Sequence, residues 1–329
     1  PSTFAGNPLL IGFQPLVADG LLTQSEFDAI PVSVNGNIDF DATIPLRSAV
    51  LDLVSTAFPV RAGSEISESY QSFVTRHGQI WLDDFALYTA LKRAHGLRPW
   101  WEWDQALGAR EPHALTEAEH ELSHSIERVK IEQFLFDRQI HDARRRTADI
   151  GIKLIGDIPI FVAHDSADVW ANRELYFLDA DGMPTVVAGV PPDYFSVTGQ
   201  RWGNPLYDWD RHVETSFAWW ESRLRRMFEL FDLVRVDHFR GFAASWHIPA
   251  DEPTAVNGVW SEAPGQLLFD TLQGRFGSLD VIAEDLGLIT PDVEELRDRY
   301  GFPGMKVLQF GFGTESAHAL SEFRPNVVA

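Results

Sequence analysis

Four short apolar runs, separated by segments of helix length, constrain this chain most. They are Ile152-Lys153-Leu154-Ile155-Gly156, Leu233-Val234-Arg235-Val236-Asp237, Val281-Ile282-Ala283-Glu284 and Gly304-Met305-Lys306-Val307-Leu308-Gln309-Phe310. Between them, Glu214 to Phe231 predicts a helix with Phe217, Trp220, Leu224, Phe228 and Phe231 on one face. Ala263 to Phe276 predicts a second. Thr290-Pro291 opens a third, with Thr as N-cap and Pro at the first helical position. Strand–helix–strand order with strands this short and apolar implies a parallel sheet buried under helices.

Before position 150 helix signals dominate. Gln79 to Ala94 presents a broad apolar face through Ile80, Trp81, Phe85, Leu87, Tyr88 and Leu91. Thr116-Glu117-Ala118-Glu119 reads as a capping box. Leu122, Ile126, Val129, Phe134 and Ile140 follow at helical spacing, with Gly151 as the stop. Trp100-Trp101-Glu102-Trp103 reads as a core anchor between helices.

With 329 residues, 45% of them hydrophobic, the chain can bury a large core and is not disordered. Its 27 basic and 48 acidic side chains give a net charge of −21. That balance argues against nucleic acid and anionic membrane surfaces as partners, which need clustered Lys and Arg, and favours a neutral or cationic ligand. The absence of Cys removes a disulfide framework, a thiolate metal site and a Cys nucleophile. No apolar run is long enough to span a bilayer. The start, Pro1-Ser2-Thr3-Phe4, is neither a signal peptide nor an initiator Met.

Three of the strands finish in a carboxylate: Asp157, Asp237 and Glu284. In parallel α/β folds the C-terminal strand ends form the functional face. Any one of these acids could be an N-cap or an ion-pair partner; three in succession point to a site. A retaining glycosidase-type site needs two carboxyl groups about 5–5.5 Å apart, one ionised and one holding a proton. Arg235 shares a face with Asp237 through the two-residue period of a strand, and its guanidinium would keep Asp237 ionised. Glu284 has no cation among its neighbours, and Asp285 beside it would help raise its pKa. Asp237 is therefore expected to be the nucleophile and Glu284 the acid/base. The stretch 186–205 is expected to be a loop, kept irregular by Gly and Pro. Its Tyr194, Phe195 and Trp202 would make platforms for sugar rings, and Asp193, Gln200 and Asn204 could bond hydroxyls.

The chain resembles the 4-α-glucanotransferases (amylomaltase, or disproportionating enzyme) of the α-amylase superfamily. The resemblance is carried in order by Phe4-Ala5-Gly6-Asn7-Pro8, Gly156-Asp157-Ile158-Pro159-Ile160-Phe161-Val162, Gly189-Val190-Pro191-Pro192-Asp193-Tyr194-Phe195, Gly199-Gln200-Arg201-Trp202-Gly203-Asn204-Pro205, Val234-Arg235-Val236-Asp237-His238-Phe239-Arg240-Gly241, Ala283-Glu284-Asp285-Leu286-Gly287 and Pro303-Gly304-Met305-Lys306-Val307-Leu308-Gln309-Phe310. It implies an α/β fold, a (β/α)8 TIM barrel with helical insertions. The expected layout is a barrel segment at 1–22, a mainly helical insertion at 23–150, and barrel strands with the catalytic face at 151–329. The resemblance places the family nucleophile on Asp237, the acid/base on Glu284, and substrate contacts on Arg235, His238 and Asp157. Tyr194, Phe195 and Trp202 fall on the acceptor side.

It further implies a cytoplasmic enzyme without metal or organic cofactor that moves α-1,4-glucan segments between maltooligosaccharides through a covalent glucosyl-enzyme. Family members begin earlier and continue into a Thr-His-Asp-Asn-Asp segment holding a third catalytic Asp. No such segment follows Phe323-Arg324-Pro325-Asn326, so the chain is expected to be a fragment with an incomplete barrel. The alternatives are a hydrolase with the same carboxylates and water as acceptor, and a glucan-binding protein without catalysis.

Overall fold

The computed structural model describes residues 1–31, 38–193, 196–312 and 323–329. It divides into two compact units, Ser2–Ile150 on one side and Gly151–Ala329 with Pro1 on the other.

The first unit is helical. Its main elements are α1 (Phe40–Arg61), α2 (Ser64–His77), α3 (Asp83–Ala94), α4 (Pro112–Glu121) and α5 (Ser123–Asp149). A single π turn, Gly78–Leu82, runs α2 into α3, so the helix expected from Gln79 is the second half of a longer one. Phe58, Tyr70 and Phe73 close around Phe134 with ring centroids 5.4–6.1 Å from it. Ile80, expected on the apolar face, is exposed, because the π turn rotates it away from Trp81 and Leu82. Trp100 and Trp103 are buried as the expected anchor, and Trp103 Nε1 donates to the Arg98 carbonyl at 3.1 Å. The expected capping box at Thr116 is absent. Thr116 lies inside α4 and its hydroxyl donates to Pro112 O at 2.9 Å. Pro112 starts that helix instead, since a missing N–H costs nothing at the first position. Gly151, at φ +77°, ends α5 as its sequence position implies.

Residues 2–22 carry no strand. Gly6 exchanges two hydrogen bonds with the buried Gln133 amide (2.8 and 2.9 Å), and Gly12 does the same with Gln139 (2.7 and 3.0 Å). The side-chain amides of α5 thus satisfy the backbone of Gly6 and Gly12 on either side of a short 3-10 helix, Pro8–Leu10.

The second unit is α/β. Strands β1 (Ile155–Pro159), β4 (Leu233–Asp237) and β7 (Val281–Ala283) form a parallel sheet in the order β1-β4-β7. Helices α6 (Ala218–Leu230), α7 (Gly265–Phe276) and α8 (Pro291–Arg299) alternate with them. A second sheet is antiparallel, in the order β3-β2-β5-β6, from β2 (Val186–Val190), β3 (Gln200–Pro205), β5 (Ala244–Pro249) and β6 (Val259–Glu262). The segment expected to be a loop over 186–205 is therefore largely a hairpin. Gly189 is the reason: a Cβ there would come 2.2 Å from the Gln200 carbonyl, so the glycine permits the close pairing that it was taken to prevent. The run from Gly304 is a strand only at Gly304–Met305, and Leu308–Phe312 turns into 3-10 helix. Thr290 sits at the N-cap position of α8, but its hydroxyl makes no capping bond.

Gly156 sits where the sheet meets Phe231, and an added Cβ would lie 2.3 Å from that ring. Gly274, in α7, has nothing within 4 Å of the same position. Gly156→Ala should lower the unfolding free energy of the full-length protein by about 1–3 kcal/mol through overpacking. Gly274→Ala should raise it by about 0.5–1 kcal/mol through helix propensity. Denaturant unfolding of the two variants checks both signs.

Candidate active site

The parallel register decides which side chains meet. Asp157 pairs with Arg235, and Pro159 with Asp237, across β1 and β4. Arg235 pairs with Ile282, and Val236 with Ala283, across β4 and β7. Side chains alternate along a strand, so Asp157, Arg235 and Asp237 share one face, and Glu284 follows the last residue of β7. Asp157 does not end its strand as expected. β1 continues to Pro159, which leaves Asp157 level with Arg235 rather than with Asp237.

Arg235 joins the two aspartates. Its Nη1 donates to Asp157 Oδ1 at 2.6 Å and its Nη2 to Asp237 Oδ1 at 2.5 Å. Its Nε points to Met305 Sδ at 3.2 Å, a weak acceptor that closes the third side of the guanidinium. One arginine thus orients two carboxylates.

Glu284 is held differently. It is 9% exposed and meets no cation within ion-pair distance among the described residues. Its Oε2 accepts from His238 N at 2.7 Å and its Oε1 from Leu286 N at 2.9 Å. Burial pushes its pKa above the ordinary glutamate value, against the pull of those two N–H groups, and the Asp237 charge adds to the rise. Asp285 is not the cause, contrary to the expectation. Its carboxylate pairs with Arg297 and accepts from Met305 N at 2.7 Å, with both ion-pair side chains buried.

His238 makes this possible by adopting φ +57°, the left-handed region that few non-glycine residues occupy. The chain turns there, so His238 N faces Glu284 Oε2 and Phe239 N donates to the Glu284 carbonyl at 3.0 Å. The imidazole lies edge-on to Trp202, centroids 4.8 Å apart, with its Nε2 buried and unbonded. Burial, helped by the Arg240 charge, pushes the His238 pKa down to about 4, so the ring is neutral near pH 7.

The hairpin brings some of the expected ligands here and turns others to structural use. Trp202 reaches His238, is 39% exposed, and donates from Nε1 to Gln200 Oε1 at 3.1 Å. Asn204 Nδ2 donates to Val162 O at 2.9 Å, which ties the hairpin to the segment after β1. Asp193 Oδ1 accepts from Ser196 N at 2.8 Å and shapes its own turn. Tyr194 and Phe195 lie outside the described residues.

Three arginines near this face carry weight that the sequence reading missed. Arg223, fully buried on α6, donates to Ile160 O and Pro159 O and so fixes the end of β1. Arg240 donates to Leu288 O, and Arg297 holds Asp285. Arg223 had a signal: it interrupts the apolar stripe of Trp220, Leu224 and Met227. Arg297 had none, because α8 is charged along its whole length. Among the described residues no group of three or more His, Asp or Glu side chains is placed to hold a metal ion, and no helix is long and apolar enough to cross a membrane.

A sequence profile described as 4-alpha-glucanotransferase matches residues 1–329. The chain belongs to the 4-alpha-glucanotransferase family. It is 49% identical over 311 residues to a 4-alpha-glucanotransferase of Thermus thermophilus, covering 94% of this chain and 61% of that protein. A Synechocystis 4-alpha-glucanotransferase is 42% identical over 324 residues, covering 98% and 64%. The chain thus spans about three fifths of the length of these curated relatives. The fold is similar to that of an amylomaltase from Streptococcus agalactiae, solved in complex with acarbose, at a TM-score of 0.92 and 36% identity over 99% of this chain and 66% of that one. An amylomaltase from Corynebacterium glutamicum, at 21% identity, shares the fold with a TM-score of 0.78 over 99% of this chain and 45% of that one.

The neutrality of His238 can be tested directly. Its imidazole should titrate near pH 4 in an NMR pH series, not near the ordinary value of 6.5. The sign for stability follows. Between those two values the unfolded chain binds a proton that the folded chain refuses, so stability falls as pH drops from 6.5 toward 4. His238→Gln should flatten that part of the pH–stability curve.

Proposed function

We propose that the full-length protein is a 4-α-glucanotransferase that moves α-1,4-glucan segments between maltooligosaccharides or longer glucans by a retaining double displacement. The observation that carries this reading is the contrast between two neighbouring carboxyl groups. Asp237 is bonded to a guanidinium, whereas Glu284 is buried, in no ion pair among the described residues, and raised in pKa. Family membership supports the same reading.

In this mechanism Glu284 gives its proton to the glycosidic oxygen while Asp237 attacks the anomeric carbon. The bond to the leaving glucan breaks, the leaving chain departs with a free 4-hydroxyl, and an ester forms between Asp237 and the donor sugar. Glu284, now a carboxylate, takes the proton of an acceptor 4-hydroxyl as that oxygen attacks the same carbon. The ester breaks and both carboxyl groups return to their starting states. Each oxygen of Glu284 keeps a lone-pair direction besides the one its backbone donor uses, which leaves room for the proton. Arg235 orients Asp237 and, with Asp157 and His238, lies on the face that would receive the sugar. Trp202, with Tyr194 and Phe195, is proposed as the acceptor platform, and Asp193, Gln200 and Asn204 as its polar margin. Within this proposal the 151–329 region carries the catalytic face, 23–150 is an insertion, 1–22 belongs to the barrel, and the enzyme acts in the cytoplasm.

Two experiments test it. Asp237→Asn should abolish the covalent intermediate with every donor, because an amide is a poor nucleophile. Glu284→Gln should slow transfer from maltooligosaccharides by about 10²–10⁴-fold. It should spare the first step with a glucosyl fluoride, whose leaving group needs little protonation. Equal loss with both donors would remove Glu284 from the acid role.

Trp202→Ala should raise hydrolysis relative to transfer, because lost stacking admits water to the ester. Product analysis on maltotriose reads that ratio, and an unchanged ratio assigns Trp202 to packing alone. Net loss of glycosidic bonds in the unaltered protein would favour the hydrolase instead.

A further inference from the structure

We propose that Arg240 is a positioning residue for Glu284, and that Trp260 acts on Glu284 through Arg240. The proposal rests on the reading of Glu284 as acid/base.

Arg240 is 7% exposed and forms no ion pair among the described residues. A buried guanidinium is costly unless its neighbours compensate it. Here the contacts are one carbonyl and one ring, with the Asp292 charge adding at longer range. Nη1 donates to Leu288 O, and Cζ lies 4.0 Å above the centroid of Trp260. Its Nε, also buried, has no partner. So little pairing for a buried charge suggests that the residue is placed for what it ties, not for neutralisation.

What it ties is the frame of Glu284. The carboxyl group takes its two N–H bonds from two different segments, His238 after β4 and Leu286 after β7. Arg240 follows His238 by two residues, and Leu288 follows Leu286 by two. The Arg240–Leu288 bond therefore closes a ring that runs through His238 N, the Glu284 carboxyl group, Leu286 N and Leu288 O. On the other side of the loop, Asp285 is fixed independently by Arg297 and Met305 N. Between Leu286 and Leu288 the chain turns at Gly287, whose φ is +85°, and the Arg240 bond pins the far side of that turn.

Trp260 backs the guanidinium, with Cζ 4.0 Å from its ring centroid. It lies on β6 opposite Trp246 of β5, the two rings meeting edge to face at 5.3 Å. The same guanidinium contacts that ring and donates to Leu288 O, a pair of contacts that the compact ammonium of a lysine does not reproduce.

The turn that carries Arg240 has its own supports. A Cβ on Gly241 would lie 2.7 Å from Ile160, and one on Gly265 would lie 2.2 Å from the Phe242 carbonyl. Phe239 and Phe242 pack on Phe269 at 5.7 and 5.0 Å. Replacing Arg240 should therefore loosen the acid and leave the nucleophile's strand intact.

The test compares two donors in the full-length protein, a maltooligosaccharide and a glucosyl fluoride, with thermal unfolding followed alongside. Arg240→Gln should lower kcat for the maltooligosaccharide by about 10²-fold, the loss expected when a catalytic group is misplaced by about 1 Å. KM should stay within about threefold, as should the first step with the fluoride. Trp260→Ala should give a smaller loss on the maltooligosaccharide, about tenfold, and Trp260→Phe should recover most of it. Arg240→Gln combined with Trp260→Ala should be no slower than Arg240→Gln alone.

Equal losses on the two donors, or multiplying losses in the double variant, would overturn the proposal. If Arg240→Gln does not fold, the half-exposed Trp260 carries the same donor comparison through Trp260→Ala and its phenylalanine rescue. Glu284→Gln separates the two readings. If it fails to discriminate between donors, the acid/base assignment is wrong. If it discriminates and neither Arg240→Gln nor Trp260→Ala does, only the positioning role is wrong.

Discussion

Parallel pairing of β1, β4 and β7 fixes a register that the whole candidate site depends on. Asp157 is level with Arg235, and the next inward position of β4 is Asp237. A one-residue slip of β4 would send Arg235 and Asp237 into the layer where Val234 and Val236 are buried. The apolar residues beneath the sheet therefore do more than stabilise it. They forbid the slip, and in doing so they hold an arginine between two carboxylates at hydrogen-bonding distance.

The turn after β4 converts that register into geometry for Glu284. β7 is only three residues long and ends before Glu284, so the ladder alone cannot aim its side chain. Aim comes from His238, whose left-handed conformation presents consecutive peptide N–H groups to the Glu284 carboxyl and carbonyl. The glycines at 241 and 265 let the turn sit close to Ile160 and to α7. Backbone strain at one residue is sustained because aromatic packing on both sides over-determines it.

Much of this was legible in the sequence. The strand Leu233–Asp237 was bounded at both ends by its apolar run and by the residues that follow, and the parallel α/β class followed from strand and helix alternation. The pairing of Arg235 with Asp237 followed from the two-residue period. What could not be read depends on contacts distant in sequence. The end of β1 is set by pairing with β4 and by Arg223 on α6, so Asp157 looked terminal and is not. Gly189 looked like a loop former, yet it is needed for close strand pairing, a distinction visible only once Gln200 is opposite it. Glu284 was expected to be raised by Asp285, but Asp285 faces Arg297, twelve residues on, and burial raises Glu284 instead.

The way Glu284 is held bears on the alternation that the proposed mechanism requires. An arginine against Glu284 would favour the carboxylate strongly and leave no acid for the first step. An apolar pocket without donors would keep the proton and leave no base for the second. Two backbone N–H groups and burial act in opposite directions on the same carboxyl group, with burial the larger. The Asp237 charge tips it further toward the protonated form while that carboxylate is free. Once Asp237 is esterified its negative charge is gone, and the push on Glu284 goes with it. Burial still acts, but the rise is smaller, so the carboxylate forms more readily when the mechanism needs a base. The arrangement thus couples the proton affinity of one residue to the covalent state of its neighbour, with no residue moving.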